Sequence, residues 1–144
     1  MNLRLPLPLR RALLAAMCVL GSQAFAAEYT ASTLEEFQAA WNQMANGDTL
    51  NITGSIDFEG IELSALPADA AIVLKSDGHG KISNFNYKDM SAVEMQDLNV
   101  DGEGTVRVGS MTEGMLSGRS DAGNTLSIEN GSTLDGTWLV LENN

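Results

Sequence analysis

Short runs that are apolar or alternate between apolar and polar residues recur along the chain after residue 47. Alternation with a period of two is typical of strands that bury one face. Polar, glycine-containing segments separate the runs, as turns between strands do, at 76–80, 101–104, 118–124 and 129–132. No second helical pattern is found in this region. The pattern therefore predicts strands within 48–58, 71–74, 92–100, 105–108, 125–129 and 137–141.

One amphipathic helix is predicted ahead of these strands, from Ser32 to Gly47. Ser32 and Glu35 match the S-x-x-E capping box, in which two side chains satisfy backbone donors at a helix start. Asn46 and Gly47 supply a stop signal. The apolar residues at helical spacing form one face: Leu34, Phe37, Trp41 and Met44. Because this face must be buried, we expect the helix to pack on the strands as a cap.

Apolar positions recur at nearly regular intervals through the strand region. One residue from each successive run is taken as inward-facing: Ile52, Ile72, Val93, Met115 and Trp138. A recurrence of this length is typical of a solenoid, in which each coil buries its apolar face against the next. The alternative is a β-sandwich, whose strands recur about every 8–12 residues. The absence of a repeated two-residue hairpin signal and the helix at the N-terminal end favour the solenoid.

The segment 1–26 has the layout of a bacterial-type secretory signal peptide. Arg4, Arg10 and Arg11 precede an apolar run at 12–20, and Ala24-Phe25-Ala26 is an A-x-A processing site. We expect cleavage after Ala26. The alternative is a membrane-anchored N-terminus, but the run is shorter than the roughly 20 residues that span a bilayer. The predicted organisation is a signal peptide at 1–26, a helical cap at 27–47 and solenoid coils at 48–144, with no membrane span in the mature chain.

Charge and cysteine content narrow the choice of partners. The sequence has 8 Lys and Arg against 19 Asp and Glu. Three of the arginines and none of the acids lie within the segment 1–26, which leaves an expected mature chain with 5 basic and 19 acidic residues, a net charge of −14. Such a surface repels phosphate backbones, so nucleic acid is not expected as a partner. The single cysteine, Cys18, lies in the signal segment, so packing and hydrogen bonds must hold the mature fold.

Two stretches resemble right-handed parallel β-helix proteins. Residues 32–37 (STLEEF) and 46–52 (NGDTLNI) resemble the entry to pectate-lyase-like β-helices, where a short helix precedes a Gly-Asp-Thr-hydrophobic strand. Residues 123–136 (GNTLSIENGSTLDG) resemble the repeats of bacterial autotransporter passenger domains. The matching stretch corresponds to the N-terminal portion of such proteins, without their C-terminal membrane barrel.

The resemblance implies an all-β fold, a short right-handed parallel β-helix (β-solenoid) with an N-terminal amphipathic capping helix. With the signal peptide and the lack of paired acidic motifs, it leads us to expect an exported, non-enzymatic protein of the periplasm, cell surface or extracellular space, with a structural or adhesive role. A host surface or a polysaccharide would then be the ligand. The alternative function is that of a remnant or fragment of a carbohydrate-active β-helix enzyme that acts on polyuronides.

No catalytic residue is predicted. His79, the only histidine, lies in Asp77-Gly78-His79-Gly80. A Gly-His-Gly triplet also occurs in polygalacturonases, but the clustered aspartates that those enzymes use as acid and base are absent. His79 is therefore interpreted as a turn residue.

Calcium is the one metal that the sequence suggests, while no cofactor is predicted. Asp97, Asn99 and Asp101, followed by Gly102, match the first half of a calcium loop. Val108 occupies the twelfth position, where such a loop has a bidentate glutamate. The alternative is a half-buried strand on which these three side chains share an outer face.

The last predicted strand carries a partner hypothesis. Trp138, Leu139, Val140 and Leu141 form a strongly apolar strand near residue 144. An apolar edge strand without a neighbour invites pairing with another strand. We expect this C-terminal edge to be covered by self-association, by another molecule or by a continuation of the chain.

Overall fold

The computed structural model describes residues 25–119, 125–129 and 131–142, and within them the chain is mostly strand. The one α-helix of these ranges, α1, is Leu34–Trp41, and a 3-10 helix spans Met90–Ala92. The thirteen strands are β1 Glu28–Ala31, β2 Thr49–Ile52, β3 Ser55–Asp57, β4 Ile72–Lys75, β5 Lys81–Ser83, β6 Val93–Gln96, β7 Asn99–Gly102, β8 Thr105–Val108, β9 Ser110–Thr112, β10 Met115–Arg119, β11 Thr125–Ile128, β12 Leu134–Asp135 and β13 Trp138–Glu142. The predicted signal peptide lies almost wholly outside the described residues.

The strands form three parallel sheets. Sheet A has the order β1-β2-β4-β6-β9-β12, sheet B the order β13-β10-β7-β5-β3, and sheet C pairs β11 with β8. From β2 onward the chain alternates between sheets A and B, and it passes through sheet C after β7 and again after β10. This confirms the predicted all-β class. It also differs from a β-sandwich, whose sheets are antiparallel.

Rows of apolar side chains fill the interior. In sheet A, the parallel register aligns Leu50, Leu74, Met95 and Met111. In sheet B, it aligns Ile56, Ile82, Val100 and Leu116. All eight are buried. Because each row runs across neighbouring strands of its sheet, each strand buries the inward side chains of its neighbours.

Two of the residues predicted to face inward are on the outside. Met115 is 40% exposed and Trp138 is 74% exposed, and the two are register partners on the outer face of sheet B. A shift of one residue along a strand moves a side chain to the opposite face. The inward positions are the next residues, Leu116 and Leu139. The five residues chosen for their regular spacing do not belong to one sheet. Ile52, Ile72 and Val93 lie in sheet A, whereas Met115 and Trp138 lie in sheet B.

The number of residues that separates two paired positions in the sequence varies more widely than the regular spacing of apolar residues suggested. Asn99 pairs with Met115, a short step along the chain, whereas Ser55 pairs with Lys81, a much longer one. Loops of different length between the strands account for this range. The longest loop in the described residues joins β3 to β4 and contributes the partly buried Ile61, Leu63 and Leu66 to the core.

The helix is shorter than predicted, and its cap is shifted by one residue. Thr33, rather than Ser32, accepts the backbone N–H of Glu36, with 3.3 Å between N and Oγ1. The Glu36 carboxylate, rather than that of Glu35, accepts from the backbone N–H and hydroxyl of Ser32, both at 2.8 Å. These Ser32 bonds lower the pKa of Glu36. Ser32-Thr33 and Glu35-Glu36 offer two overlapping matches to the capping box, and the structure uses Thr33 as the N-cap.

An aromatic cluster packs beneath the helix. Phe37 meets Phe58 edge-on with 4.7 Å between ring centroids, and Trp41 meets Tyr87 edge-on at 5.0 Å. The Trp41 indole N–H donates to the Ser64 carbonyl at 2.9 Å. The helix therefore packs on the core, as its apolar face predicted. Strand β1, which the sequence analysis did not predict, precedes it and pairs with β2.

The predicted strand at 92–100 is two strands. Asp97 has a φ of 52°, which ends β6 and turns the chain from sheet A into β7 of sheet B. Strands β5, β9, β10 and β12 were also not predicted as separate strands. Three of these four have only two or three residues, too few to show a clear alternation.

Candidate functional site

An open groove of about 1160 Å³ lies on the outer face of sheet B. We call it the sheet B groove. Its floor comes from the outward residues of five neighbouring strands, β3, β5, β7, β10 and β13. The loop at 59–62 and the turn at Glu103 form parts of its walls.

The parallel register builds the floor of this groove. Asp57, Ser83, Asp101, Ser117 and Val140 are aligned across the five strands. A second outward row joins Lys81, Asn99, Met115 and Trp138. Adjacent strands are roughly 4.8 Å apart, so five strands make a floor about 19 Å long. The face is therefore long and mostly polar, with its apolar residues at the β10–β13 end.

Carboxylates dominate the electrostatics of the groove. Five acids line it, Asp57, Glu59, Glu62, Asp101 and Glu103, and Lys81 is the one cation among the side chains that the structure describes there. The Lys81 ammonium forms an ion pair with the Asp101 carboxylate on the next strand. Because Lys81 and Asp101 compensate each other's charge, the other four acids give the described part of the groove a net negative potential.

Asp57 is held in a defined position at one end of the floor. Its Oδ1 accepts from the Asn84 side-chain amide at 2.8 Å and from the backbone N–H of Glu59 at 3.0 Å. The Asn84 hydrogen bond, followed by that from Glu59, lowers the pKa of Asp57. A carboxylate that stays ionised is a poor general acid. Asp57 is better suited to accepting hydrogen bonds from a ligand.

The structure distributes the calcium candidates over a turn and a strand. Asp97 lies in the turn after β6, while Asn99 and Asp101 lie on β7 with Val100 buried between them. The Asp101 carboxylate pairs with Lys81. Within the described ranges, no group of three or more His, Cys, Asp or Glu side chains is placed to hold a metal ion.

His79 lies in an exposed turn between β4 and β5. Its Nδ1 is 3.1 Å from Asp77 Oδ1, and its backbone N–H donates to the same oxygen at 3.1 Å. The backbone donor, and then the ring, lower the pKa of Asp77. Both side chains are exposed and neither lines the sheet B groove. This local pairing fits the interpretation of His79 as a turn residue.

The C-terminal edge contains the most exposed apolar residues of the strands. Strand β13 is the edge strand of sheet B that comes last in the described chain. Strands β11 and β12 hold the same position in sheets C and A. Leu139 is 54% exposed, although its register partner Leu116 is only 1% exposed. A small apolar cavity of about 90 Å³ opens beside Leu139, lined also by Val106, Leu116 and Leu126. Val140 is half-buried on the groove floor, and the Leu141 side chain lies outside what the structure describes.

Sequence analysis named the C-terminal edge and Asp101 but missed the groove. The available signal was the set of polar residues that alternate with the buried ones in β3, β5, β7 and β10. Reading it required knowing that these four strands are neighbours in one sheet, and β5 and β10 were not among the predicted strands.

No family model, curated protein or solved structure matches this chain. No helix in the described ranges is long and apolar enough to cross a membrane.

Proposed function

We propose that this chain is an exported, non-enzymatic β-solenoid that acts as a structural or adhesive surface protein, similar to an autotransporter passenger. The repeated passage of the chain between parallel sheets supports a solenoid, with each turn through the sheets forming one coil. Parallel strands of one sheet are joined by right-handed crossovers in nearly all proteins, which supports a right-handed β-helix.

The observation that carries the adhesive role is the sheet B groove. It is open, and the polar side chains of its floor, such as those of Asp57, Ser83 and Asp101, are fixed by neighbouring strands. Asp57 and Asp101 each have a protein partner that holds the carboxylate in place. A rigid floor loses little entropy on binding, so an extended polymer can gain affinity from several weak contacts. The exposed Trp138 and Met115 extend the face with apolar contact area.

The arrangement of the acids supports a binding role rather than a catalytic one. Glycoside hydrolysis uses one carboxylic acid that is protonated and a second that is ionised. In the groove, Asp57 is held as a carboxylate by Asn84, and Asp101 is neutralised by Lys81. The C-terminal edge adds the structural part of the proposal. Trp138–Leu141 would serve in self-association or in continued stacking of strands.

The test is a binding assay with matched surface variants. Beads that carry the mature chain are incubated on an anionic polyuronide, on neutral dextran and on cationic chitosan. Ser117→Arg fills the middle of the groove, and Thr49→Arg makes the same kind of change on the outer face of sheet A, where Thr49 is likewise half-buried. We expect binding to the cationic chitosan, whose charge complements the acids of the groove, and we expect Ser117→Arg alone to weaken this binding at least about tenfold, which is the loss of one good contact.

Two results would contradict the proposal. One is the absence of binding to chitosan, and the other is an equal effect of the two variants. Shortening of the polyuronide by the purified chain would favour the carbohydrate-active enzyme instead.

A further inference from the structure

Asp48 is a buried carboxylate that joins two distant parts of the backbone. Asp48 is only 4% exposed. Oδ2 accepts the backbone N–H of Ala45 at 2.7 Å, and Oδ1 accepts the backbone N–H of Ala27 at 2.7 Å. Within the described residues, no cationic side chain forms an ion pair with Asp48. A buried carboxylate without a counter-charge is costly, even when backbone donors satisfy its oxygens.

Ala27 is held in place independently of Asp48. Its carbonyl oxygen accepts the backbone N–H of Thr49 at 2.9 Å. The next residue, Glu28, begins β1 and pairs with Thr49 in the parallel register. The nitrogen of Ala27 is therefore fixed beside Asp48 by the pairing of β1 with β2. In contrast, the residues just before it, Phe25 and Ala26, are exposed.

We propose that removal of the signal peptide completes this site, because cleavage after Ala26 turns the Ala27 amide nitrogen into an α-ammonium that pairs with Asp48. The reaction is hydrolysis by an endopeptidase that cuts after small residues. The bond between the Ala26 carbonyl carbon and the Ala27 nitrogen breaks, the hydroxyl of one water joins the carbon, and its hydrogen goes to the nitrogen. At neutral pH the new Ala26 carboxylic acid ionises, and the Ala27 amine takes up a proton to become an ammonium. The inference rests on the proposed export of the chain.

The new charge changes the strength of a contact that already exists. In the unprocessed chain, Asp48 accepts a neutral amide N–H. In the processed chain, the same oxygen accepts from a cation, and charge-assisted hydrogen bonds are roughly twice as strong as neutral ones. The pair ties the start of β1 to the turn that leads from α1 into β2. The processed chain is therefore expected to hold its N-terminal end more firmly than the precursor.

A double-mutant cycle tests the pairing. One partner of the cycle is the N-terminus, which starts either at Ala27 or, with a one-residue extension, at Ala26. The other partner is Asp48, either unchanged or replaced in Asp48→Asn. The extension keeps an amide at Ala27 and moves the charge away from Asp48. We expect the extension to lower the thermal midpoint by roughly 4–8 °C when Asp48 is present, and to have little effect in Asp48→Asn.

The control is Asp57→Asn, since Asp57 also accepts a backbone N–H but lies in the sheet B groove. In Asp57→Asn, the extension should lower the thermal midpoint by as much as it does in the chain with Asp57 unchanged. An equal effect of the extension with and without Asp48 would overturn the proposal.

Two further measurements cover a failure of Asp48→Asn to fold and a failure of the export hypothesis. Labelling with acetic anhydride, read by mass spectrometry, should modify the Ala27 α-amine at least about tenfold more slowly in the folded chain than in the unfolded chain, and equal rates would overturn the pairing. N-terminal sequencing of exported protein should give Ala27. A different first residue would contradict the proposed processing itself, whereas Ala27 without coupling to Asp48 would overturn only the ion pair.

Discussion

At the scale of single residues, small and polar side chains decide how closely neighbouring strands approach. Ser76, which is buried, accepts the backbone N–H groups of Gly78 and Gly80 at 3.1 and 2.6 Å and so shapes the turn before β5. Gly80 lies against the end of strand β2, where an added Cβ would meet the carbonyl oxygen of Ile52. Gly78 has open space around it but a φ of 91°. The two glycines of this turn are thus needed for different reasons.

The prediction at this scale compares these two glycines. Gly80→Ala should cost about 3 kcal/mol or more, because the new methyl group collides with backbone that cannot move aside. Gly78→Ala should cost only about 1–2 kcal/mol, the penalty for an L-residue at positive φ. Urea unfolding followed by tryptophan fluorescence measures both, because the buried Trp41 becomes exposed on unfolding. A Gly78→Ala loss equal to or larger than that of Gly80→Ala would contradict the close approach at Gly80.

At the scale of elements, each strand is stabilised by burial of its inward row against the neighbouring strand. Leu116 on β10 has strands on both sides, β7 and β13. Leu139 on β13 has a neighbour on one side only. The same residue type at the same register position is therefore buried in one strand and about half-exposed in the next. This contrast isolates the contribution of a neighbouring strand.

We accordingly expect unequal costs for the same truncation. Leu116→Ala should lower the free energy of unfolding by about 2–5 kcal/mol, the usual range for a buried leucine. Leu139→Ala should cost about 1 kcal/mol, because only about half of its surface is removed from water. Denaturant midpoints of the purified mature chain at micromolar concentration provide the comparison. Equal losses would mean that Leu139 is buried in solution.

At the scale of the whole molecule, acidity is the dominant electrostatic property. Glu36, Asp57 and Asp77 have pKa values below their ordinary ones, because each accepts local hydrogen bonds in the folded chain. A depressed pKa in the folded state contributes stability above the ordinary pKa, near 4 for these groups. That contribution is lost as the pH falls through the folded value. Protonation also relieves the repulsion among the many acids, which acts in the opposite direction.

Salt separates the two effects, because it screens the long-range repulsion more than short hydrogen-bonded contacts. At high ionic strength, the free energy of unfolding should fall as the pH is lowered below about 4. Asn84→Ala should reduce this dependence, because the pKa of Asp57 loses its main lowering cause, whereas Asn86→Ala serves as the groove-lining control. Stability that rises steadily on acidification in high salt would contradict the expectation.

The sequence by itself determined part of the local structure: an apolar helical face that packs inward, strands within the six predicted stretches, and the turns at 76–80 and between β11 and β12. These follow from periodicity and turn chemistry within a few neighbouring residues. Two other glycine-containing segments predicted as turns begin inside strands instead, because Asp101 and Gly102 belong to β7 and Gly118 and Arg119 belong to β10. Only the tertiary structure decided that β1 lies against β2, that β7 and β10 are neighbours, and that Met115 faces outward and Leu116 inward. Strand register depends on which inward side chains stack on one another across neighbouring strands of a sheet, and the loops between strands vary the length of chain that separates them. The sheet B groove and the contact between Ala27 and Asp48 both depend on which strands pair and in what register, so no local sequence pattern could predict them.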